Sequence, residues 1–349
     1  MTISYRRLWD AHAPIYRLLC AALAPAAWAY GAAVAVRSWA YDTGLLKSTA
    51  APLPSLCVGN LTVGGTGKTP LAAWFAGELR RRGLSPAIVM RGYGQDEPTV
   101  HRVLNPSVPV YVAPDRVAGV RGAAEAGQDV AVLDDAFQHR RIRPQENVAI
   151  IAAEDWHPRR HLLPRGPWRE PLSGLRRATL AVVSRKSASA ERAAEIEAEL
   201  RSAAPEVPTA RVHLALSRLY PYHGAEERLG PAVPLAGFRC GVAVAGVARP
   251  ESFWAQLEAA AVAVDERRVF PDHHRYSRDE AQALEQAAGG EPILASLKDA
   301  VKLRPLLAPE SELYVPLQEP VWEASAQEIE AMLERIQAAC TAPGERRKT

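Results

Sequence analysis

The chain has 349 residues, of which 48% are hydrophobic and 23% charged, a balance typical of a folded protein and not of a disordered one. Its formal net charge of +3 is spread along the chain, which argues against the concentrated basic surface of a nucleic-acid-binding protein. The four cysteines are far apart and form no CxxC pair. Neither a disulfide framework nor a structural zinc site is indicated, and a reducing cytosolic compartment fits best.

An apolar segment comes first. Residues 18–36 carry no charge, and their number is just sufficient for a helix that crosses a bilayer. The segment is rich in alanine and contains Pro25 and Gly31, so a helix lying in the interface is also compatible, as is a soluble amphipathic helix. The Ala27-Trp28-Ala29 triplet resembles a signal-peptide cleavage site, but the glycine-rich sequence VGGTGKTP at residues 63–70 is typical of ATP-binding loops, and ATP is absent outside the cytoplasm. We therefore predict a membrane-associated segment over residues 1–40.

Short apolar runs alternate with helical patterns over the next region, 41–205. The runs are SLCVGN, AIVMRG, VPVYVA, DVAVLDD, NVAIIAA and TLAVVSR, and the intervening residues 70–82 and 115–126 have the spacing of covering helices. This alternation predicts an α/β fold with a parallel sheet and helices on both faces, as in P-loop NTPases.

A second region begins after a charged helical pattern that ends near residue 204. Residues 206–237 contain two extended stretches around Pro221 to Gly224, which predict a hairpin linker. Beyond it CGVAVAG, ERRVF, EPILAS and LYVPL again alternate with helices, so a smaller α/β domain is predicted over 238–340. Residues 341–349 have the composition of a frayed polar tail.

The strongest single motif is SLCVGNLTVGGTGKTP, in which an apolar strand leads through a glycine-rich turn into a helix. Glycines allow the backbone N–H groups to approach a phosphate closely, and a helix N-terminus adds partial positive charge. Lys68 is expected to reach the β and γ phosphates and Thr69 to hold Mg²⁺. Thr62 stands where the strict motif has glycine. The predicted nucleotide-binding residues are Thr62, Val63, Gly64, Gly65, Thr66, Gly67, Lys68 and Thr69.

A second apolar strand ends in two carboxylates within VAVLDDAFQHRR, which is how Walker B strands place an acid beside the metal. Side chains alternate in direction along a strand, so Asp134 and Asp135 cannot both point fully at the nucleotide. The Asn-Lys-x-Asp element that reads guanine has its nearest counterpart in residues 296–299, which begin with Ser296 instead of Asn. ATP is therefore predicted over GTP.

Several ordered motifs together resemble one family. They are GNLTVGGTGKTP, RGYG at 91–94, DEP at 96–98, DR at 115–116, DDAFQHRR, LPRGPWREP, DHHRY at 272–276 and KDAVK at 298–302. Over about residues 5–320 the chain resembles the tetraacyldisaccharide 4'-kinases of lipid A biosynthesis. Ala136 replaces a glycine that is usual in this family.

The resemblance implies transfer of the γ-phosphoryl group of ATP to the 4'-hydroxyl of a tetraacylated glucosamine disaccharide 1-phosphate. It further implies that Asp96 is the general base, that His273 is its partner, and that the phosphates are stabilised by charged side chains. Lys68, Arg116 and Arg169 are the side chains implied to stabilise the phosphates. Together with Asp96 and His273, and with Asp135 as a further candidate, they form the predicted catalytic set. The candidate metal ligands, directly or through water, are Thr69, Asp134, Gln138 and Glu170.

The implied cofactors are ATP and Mg²⁺, and the implied partners are an acylated disaccharide 1-phosphate lipid and a membrane surface. No nucleic acid and no obligate protein partner are expected, and the expected location is the cytosolic face of the inner membrane. Two alternatives remain open from the residues alone. One is another P-loop small-molecule kinase or ATP-dependent ligase, and the other is a membrane-tethered nucleotide switch.

Overall fold

The computed structural model describes residues 9, 14–92, 96–157, 159–224 and 227–341, with the backbone alone for residues 14–17. The predicted polar tail beyond residue 341 and two residues of the RGYG motif, Tyr93 and Gly94, lie outside the described residues. The helices are α1 (Pro14–Ala22), α2 (Ala24–Asp42), α3 (Lys68–Arg81), α4 (Asp96–Leu104), α5 (Arg116–Glu125), α6 (Ala190–Ala203), α7 (Pro250–Ala259), α8 (Arg278–Ala288), α9 (Leu297–Leu303) and α10 (Ala326–Thr341). The strands are β1 (Thr49–Ala50), β2 (Ser55–Asn60), β3 (Pro86–Met90), β4 (Val110–Val112), β5 (Val130–Asp134), β6 (Ile142–Arg143), β7 (Glu146–Ala152), β8 (Leu180–Arg185), β9 (Thr209–Pro221), β10 (Arg239–Ala245), β11 (Ala263–Val269), β12 (Ile293–Ala295) and β13 (Leu313–Ala324).

One sheet of eleven strands runs through the described part of the chain in the order β11-β10-β12-β13-β9-β8-β7-β2-β5-β3-β4. All its neighbouring strands are parallel except β9 and β13, which pair antiparallel. Every residue of β2, β3 and β5 is buried, as expected when helices cover both faces of a parallel sheet. The predicted α/β fold with helices on both faces is confirmed.

Two apolar cores lie on opposite faces of the first half of the sheet. One joins α5 and α6 to the strands. The other joins α3 to α10, through Leu71 and Phe75 on α3 and Met332 and Ile336 on α10. The C-terminal helix therefore packs on the first half of the chain, although the sequence placed it with residues 238–340.

The predicted linker, residues 206–237, takes part in the sheet. Its strand β9 pairs with β8 on one side and with β13 on the other. After β9 the chain turns back, and Leu219 and Val233 exchange backbone hydrogen bonds of 3.0 and 2.8 Å. The sheet thus continues from the first half of the chain into the second, and the boundaries at residues 205 and 237 stay a prediction.

The N-terminal apolar run is divided between α1 and α2, which meet at Leu23. None of the helices in the described ranges combines the length and the apolar character needed to cross a bilayer, so the spanning alternative for residues 18–36 gains no support. The inner side of α2 is tied to the rest of the protein. The Tyr30 hydroxyl donates to the Arg169 carbonyl at 2.7 Å, and Arg37 Nη2 donates to the Gln138 carbonyl at 2.8 Å.

Candidate active site

The glycine-rich loop follows β2 and leads into α3, as the sequence predicted. Its first residues serve as an anchor: Thr62 forms a β-bridge with Trp168, and the Val63 N–H donates to the Pro167 carbonyl at 2.8 Å. Neither of these two residues lines the cleft, whereas Gly64 through Thr69 all do. The phosphate-binding assignment is therefore narrowed from 62–69 to 64–69.

The loop conformation depends on glycine at position 67, directly before α3. Gly67 has φ 88°, and a Cβ there would lie 2.2 Å from a methyl carbon of Leu214. Neighbouring side chains hold the loop by its carbonyl oxygens, since Ser184 Oγ donates to Thr66 O at 2.8 Å and Lys186 Nζ donates to Gly65 O at 2.9 Å. The N–H groups of the first turn of α3 have no acceptor within the helix. They and the positive end of the helix dipole lie at the cleft wall, where an anion can bind.

Lys68 is placed at the cleft beside a carboxylate. Its Nζ lies 3.9 Å from Asp135 Oδ1, and its side chain is only 11% exposed. Burial lowers the pKa of Lys68, and Asp135 opposes that shift. Arg169 also binds this carboxylate, with Nη1 donating to Oδ1 at 2.8 Å. Burial would raise the pKa of Asp135, but Lys68 and Arg169 together hold it below its usual range.

Asp135 has a left-handed backbone, with φ 51°, while its N–H continues the β2–β5 pairing by donating to Val58 O at 2.9 Å. Such a conformation costs a non-glycine residue about 1–3 kcal/mol and is concentrated at functional sites. Arg116 lies beneath this turn, almost fully buried. It donates to the carbonyls of Ala113 and Pro114 and reaches Asp135 O at 3.5 Å. Arg116 lines the cleft as predicted, and burial lowers its pKa.

Asp134 lies at the end of β5 and is held from the opposite side. His101 on α4 contacts its Oδ2 at 2.8 Å, and both residues are buried. Within the described residues the other oxygen, Oδ1, has no hydrogen-bond partner, although Asp134 contributes to the cleft wall. A buried carboxylate oxygen without a partner is a suitable ligand for a divalent cation.

The other predicted metal ligands differ. Thr69 lines the cleft, but the Gln138 amide is already engaged: its Nε2 donates to Asn60 O at 2.7 Å and to Glu170 Oε1 at 2.8 Å. Arg177 Nη2 donates to Glu170 Oε2 at 2.6 Å, so both carboxylate oxygens of this buried residue are satisfied away from the cleft. In this structure the Glu170 carboxylate stabilises the wall behind Gln138, and its assignment as a metal ligand stays a prediction.

The predicted base and its partner come from different halves of the chain. Asp96 is the first residue of α4 and is 6% exposed, and His273 follows β11 with φ 59°. His273 Nδ1 lies 3.7 Å from Asp96 Oδ2. The Asp96 carboxylate raises the pKa of His273. Burial would raise the pKa of Asp96, but His273 holds it below its usual range, so the carboxylate is ionised at neutral pH.

Three residues were given no role by the sequence reasoning: two line the cleft, and the third, His101, lies behind it against Asp134. Lys298 is partly buried and pairs with Glu97 Oε1 at 3.3 Å, so it joins the two halves next to the Asp96–His273 pair. Lys186 follows β8 and contacts the glycine-rich loop. His101 was missed because its only sequence signal is a histidine five residues after Asp96, and nothing in the sequence pairs it with β5.

These elements surround a cleft of about 1060 Å³. The glycine-rich loop, Asp134, Asp135 and Arg169 line it from the first half, and His273 and Lys298 from the second. A cleft with a phosphate-binding loop on one wall and His273, the partner of the buried Asp96, on the other can bring a nucleotide and an acceptor hydroxyl together.

A model of the tetraacyldisaccharide-1-P 4'-kinase family matches residues 19–337 of the chain. The chain belongs to this family. A protein of Halorhodospira halophila named tetraacyldisaccharide 4'-kinase is 36% identical over 315 residues, which are 84% of this chain and 87% of that one. Another of that name, from Anaeromyxobacter dehalogenans, is 38% identical over 294 residues, 76% of each chain. A crystal structure of LpxK from Aquifex aeolicus in complex with ATP has a TM-score of 0.71 at 26% identity and covers 91% of this chain and 99% of that one.

Membership of this family confirms the resemblance drawn from the ordered motifs. It decides between the three interpretations that the residues alone left open, in favour of an ATP-dependent kinase and against a ligase or a nucleotide switch. The roles of individual side chains stay predictions, now with the positions described above.

Proposed function

We propose that this chain transfers the γ-phosphoryl group of ATP to the 4'-hydroxyl of a tetraacylated glucosamine disaccharide 1-phosphate, at the cytosolic face of the inner membrane. The observation that carries the proposal is a single cleft lined on one side by the glycine-rich loop and on the other by His273, with Asp96 buried directly behind His273. The glycine-rich loop with Lys68 suits a nucleoside triphosphate, and the Asp96–His273 pair suits a hydroxyl acceptor.

The first half of the chain binds and neutralises the phosphates. The N–H groups at the start of α3 hold the β-phosphate, and the Lys68 ammonium lies between the β and γ oxygens. In the free protein Arg169 Nη1 donates a hydrogen bond of 2.8 Å to Asp135 Oδ1, and Asp135 also lies near Lys68. Binding of ATP supplies phosphate oxygens to these cations, so the charge balance of the site is completed by the substrate.

The residues present fit Mg²⁺. Asp134 offers the unpartnered Oδ1, His101 fixes its other oxygen, and the Thr69 hydroxyl lines the same cleft. No cluster of three or more His, Cys, Asp or Glu side chains that could hold a metal occurs in the described part of the chain. Asp134 and Thr69 would hold the ion together with phosphate oxygens of the nucleotide. When bound, Mg²⁺ neutralises charge that develops on the phosphoryl oxygens.

Asp96 accepts the proton of the 4'-hydroxyl. Its lowered pKa keeps it in the base form at neutral pH, and His273 holds the proton-accepting carboxylate in place from the other side of the cleft. Lys298, which is paired with Glu97, stands beside this pair and places its ammonium group at the cleft. Phosphoryl transfer requires chiefly such positioning and charge stabilisation.

The test is direct. The purified protein is incubated with ATP, Mg²⁺ and a disaccharide 1-phosphate lipid, and the lipid is analysed by mass spectrometry for one added phosphate. A matched lipid that lacks the 4'-hydroxyl serves as the control and should remain unchanged. Addition of phosphate to both lipids would place the acceptor elsewhere, and addition to neither would contradict the proposed activity.

We further propose that α1 and α2 place the cleft at a membrane surface. Trp28, Val36 and Trp39 are 71%, 63% and 59% exposed, and their spacing of eight and three residues places them along one side of α2. Leu18 and Leu19 on α1 are also exposed. Exposed tryptophan and aliphatic side chains at one surface favour insertion into the headgroup region. The opposite side of α2 contacts Arg169 and Gln138, which line the cleft. A membrane surface that binds the exposed side of α2 therefore brings its lipids close to the nucleotide site.

Vesicle flotation tests this second proposal. The variant Trp28→Ser/Trp39→Ser should lose vesicle binding and activity on vesicle-embedded lipid, while ATP binding is retained. A matched variant that removes exposed apolar groups elsewhere, Val269→Ser/Val112→Ser, should float as the wild type does. Unchanged flotation of the tryptophan variant would refute attachment through α2.

A further inference from the structure

The KDAVK motif contains a buried carboxylate that the phosphoryl-transfer scheme does not use. Asp299, in the first turn of α9, is 0% exposed. Its Oδ2 accepts hydrogen bonds from the Gly246 N–H at 2.8 Å and from Ser296 Oγ at 2.6 Å. Its Oδ1 accepts from the Tyr276 hydroxyl at 2.9 Å and lies 3.3 Å from Lys302 Nζ. A carboxylate removed from water to this extent is tolerated only with such partners.

Part of this arrangement is ordinary helix capping. Ser296 is the N-cap of α9, and its hydroxyl accepts from the Asp299 N–H at 3.2 Å while it donates to the Asp299 side chain. Reciprocal contacts of this kind stabilise many helix N-termini. Capping does not account for Gly246 and Tyr276, however, because these partners belong to two other loops.

Each partner of Asp299 leads into a segment that lines the cleft. Gly246 precedes the loop 247–249, which follows β10 and lies against the glycine-rich loop. Tyr276 ends the segment that carries His273, and Ser296 begins the turn that carries Lys298. One carboxylate therefore connects three of the segments by which the second half of the chain lines the cleft.

The contact with Gly246 requires glycine for space. A Cβ at this position would lie 2.5 Å from Asp299 Oδ1 and 2.9 Å from the Tyr276 hydroxyl. The close approach lets the backbone N–H reach the carboxylate directly. Burial raises the pKa of Tyr276, so its hydroxyl stays protonated and remains a donor at any physiological pH.

The His273 segment is held at this end by ring packing and by two polar contacts, from His274 Nε2 to Glu280 Oε1 at 3.0 Å and from the Tyr276 hydroxyl to Asp299. Phe270, His274 and Tyr276 pack their rings together at centroid distances of 4.8 to 5.0 Å, and His273 projects from this group with a left-handed backbone. The Tyr276 hydroxyl is the point at which this ring cluster is fixed to α9 by a hydrogen bond to a charged group. Without that bond the cluster keeps its contact with α8 through His274 and Glu280, and we expect it to shift at the Tyr276 side together with His273.

We propose that Asp299 is a positioning residue, which holds the His273 segment and the Lys298 turn at the distances from Asp96 and Glu97 that phosphoryl transfer requires. The inference rests on the proposed function, in which the Asp96–His273 pair accepts the proton of the acceptor. Displacement of a reacting group by about 1 Å is sufficient to cost on the order of 10²-fold in rate. Asp299 acts through other residues and does not contact the substrate.

The decisive variant is Tyr276→Phe, which removes one hydroxyl and keeps the ring packing. We expect kcat to fall by about tenfold, while the Kd for ATP changes by less than about twofold because the glycine-rich loop is untouched. In a His273→Ala background the same substitution should cost less than about twofold, because the residue that it positions is absent. Asp299→Asn should show the same pattern with a larger loss of kcat.

The matched control is Tyr222→Phe. Tyr222 is buried in the same apolar cluster as Tyr276, and the structure shows no hydrogen bond from its hydroxyl among the described residues. Its kcat and melting temperature should match those of the wild type. Wild-type kcat in Tyr276→Phe, or equal losses with and without His273, would overturn the positioning role. If Asp299→Asn does not fold, Tyr276→Phe alone decides. An inactive wild-type protein would instead refute the proposed function.

Discussion

Removal of the Lys68 ammonium should have opposite effects on turnover and on the stability of the fold. Lys68 is 11% exposed and its nearest carboxylate oxygen is 3.9 Å away, too far for a hydrogen bond. Burial lowers its pKa in the folded protein, so at neutral pH, which is below the unperturbed pKa of lysine, the charged form opposes folding. Lys68→Met keeps most of the aliphatic stem and removes the charge. We therefore expect the variant to be at least as stable as the wild type.

Turnover, in contrast to stability, should fall in Lys68→Met. Loss of one preorganised cation that contacts the transferred group costs about 3 kcal/mol, or on the order of 10²-fold in kcat. The assay is steady-state transfer of phosphate to the lipid, paired with thermal unfolding between about pH 7 and pH 10. As the pH rises towards the unperturbed value of lysine, the wild type should gain stability relative to Lys68→Met, because the folded state loses the proton first.

An exposed lysine provides the control for this experiment. Lys47→Met also removes one ammonium, outside the cleft, and should change neither kcat nor the melting temperature. Wild-type turnover in Lys68→Met would refute the phosphate contact. A lower melting temperature in Lys68→Met would refute the argument that this buried charge opposes folding.

Four further outcomes are expected. Asp96→Asn should lower kcat by about 10²-fold with little change in the Kd for ATP, and near-normal kcat would place the base elsewhere. His273→Asn should lower the melting temperature at about pH 5.5 but not at about pH 8.5. The pKa of His273 is raised in the folded protein, so its charged form stabilises the fold below the pKa of the unfolded chain, and this contribution is lost as the pH rises through the folded-state pKa. A difference in melting temperature that does not depend on pH would exclude the ion pair. His101→Gln should raise the Mg²⁺ concentration needed for half-maximal rate by about tenfold or more, because the carboxylate that it orients is released; an unchanged requirement would refute that role. Arg177→Met should destabilise the fold by about 3 kcal/mol, because it leaves the Glu170 carboxylate buried without its cation, while kcat is largely retained; a lost Mg²⁺ response in this variant would support Glu170 as a metal ligand.

The sequence was sufficient for the parts of the site that are local in the chain. A strand, a glycine-rich turn and a helix occur within residues 55–81, and each carries its own pattern. The same holds for Asp134 and Asp135 at the end of β5. Thr62 and Val63 were assigned to phosphate binding because the motif includes them. Their contacts with Pro167 and Trp168 depend on a segment about one hundred residues away, which no local pattern reveals.

Contacts between distant residues account for the rest. Glu170 has the residue type of a metal ligand, but the sequence does not reveal that Arg177 Nη2 donates to its carboxylate at 2.6 Å in the folded chain. Asp299 appeared in the sequence as the last residue of a poor guanine-reading motif. In the structure its carboxylate is saturated by Gly246, Tyr276 and Ser296 and is not available to a nucleobase.

The position of the second half of the site follows from the topology of the sheet. The glycine-rich loop leaves the carboxyl end of β2, and the loop 247–249 leaves the carboxyl end of β10, yet β10 belongs to strands that the antiparallel β9–β13 pair has reversed. In a flat sheet these two ends would lie at opposite edges. Six neighbouring pairs separate β2 from β10, and a twist of about 20° for each pair rotates the strand direction by roughly 120°. This rotation offsets most of the reversal, so that the carboxyl ends of both halves face one cleft.

In both halves the loop follows a strand whose neighbours come later in the chain on either side, which is the position where open α/β sheets bind ligands. The long β9 and β13 strands thus do more than join two units, because their pairing sets the angle at which His273 and Lys298 meet the nucleotide-binding loop.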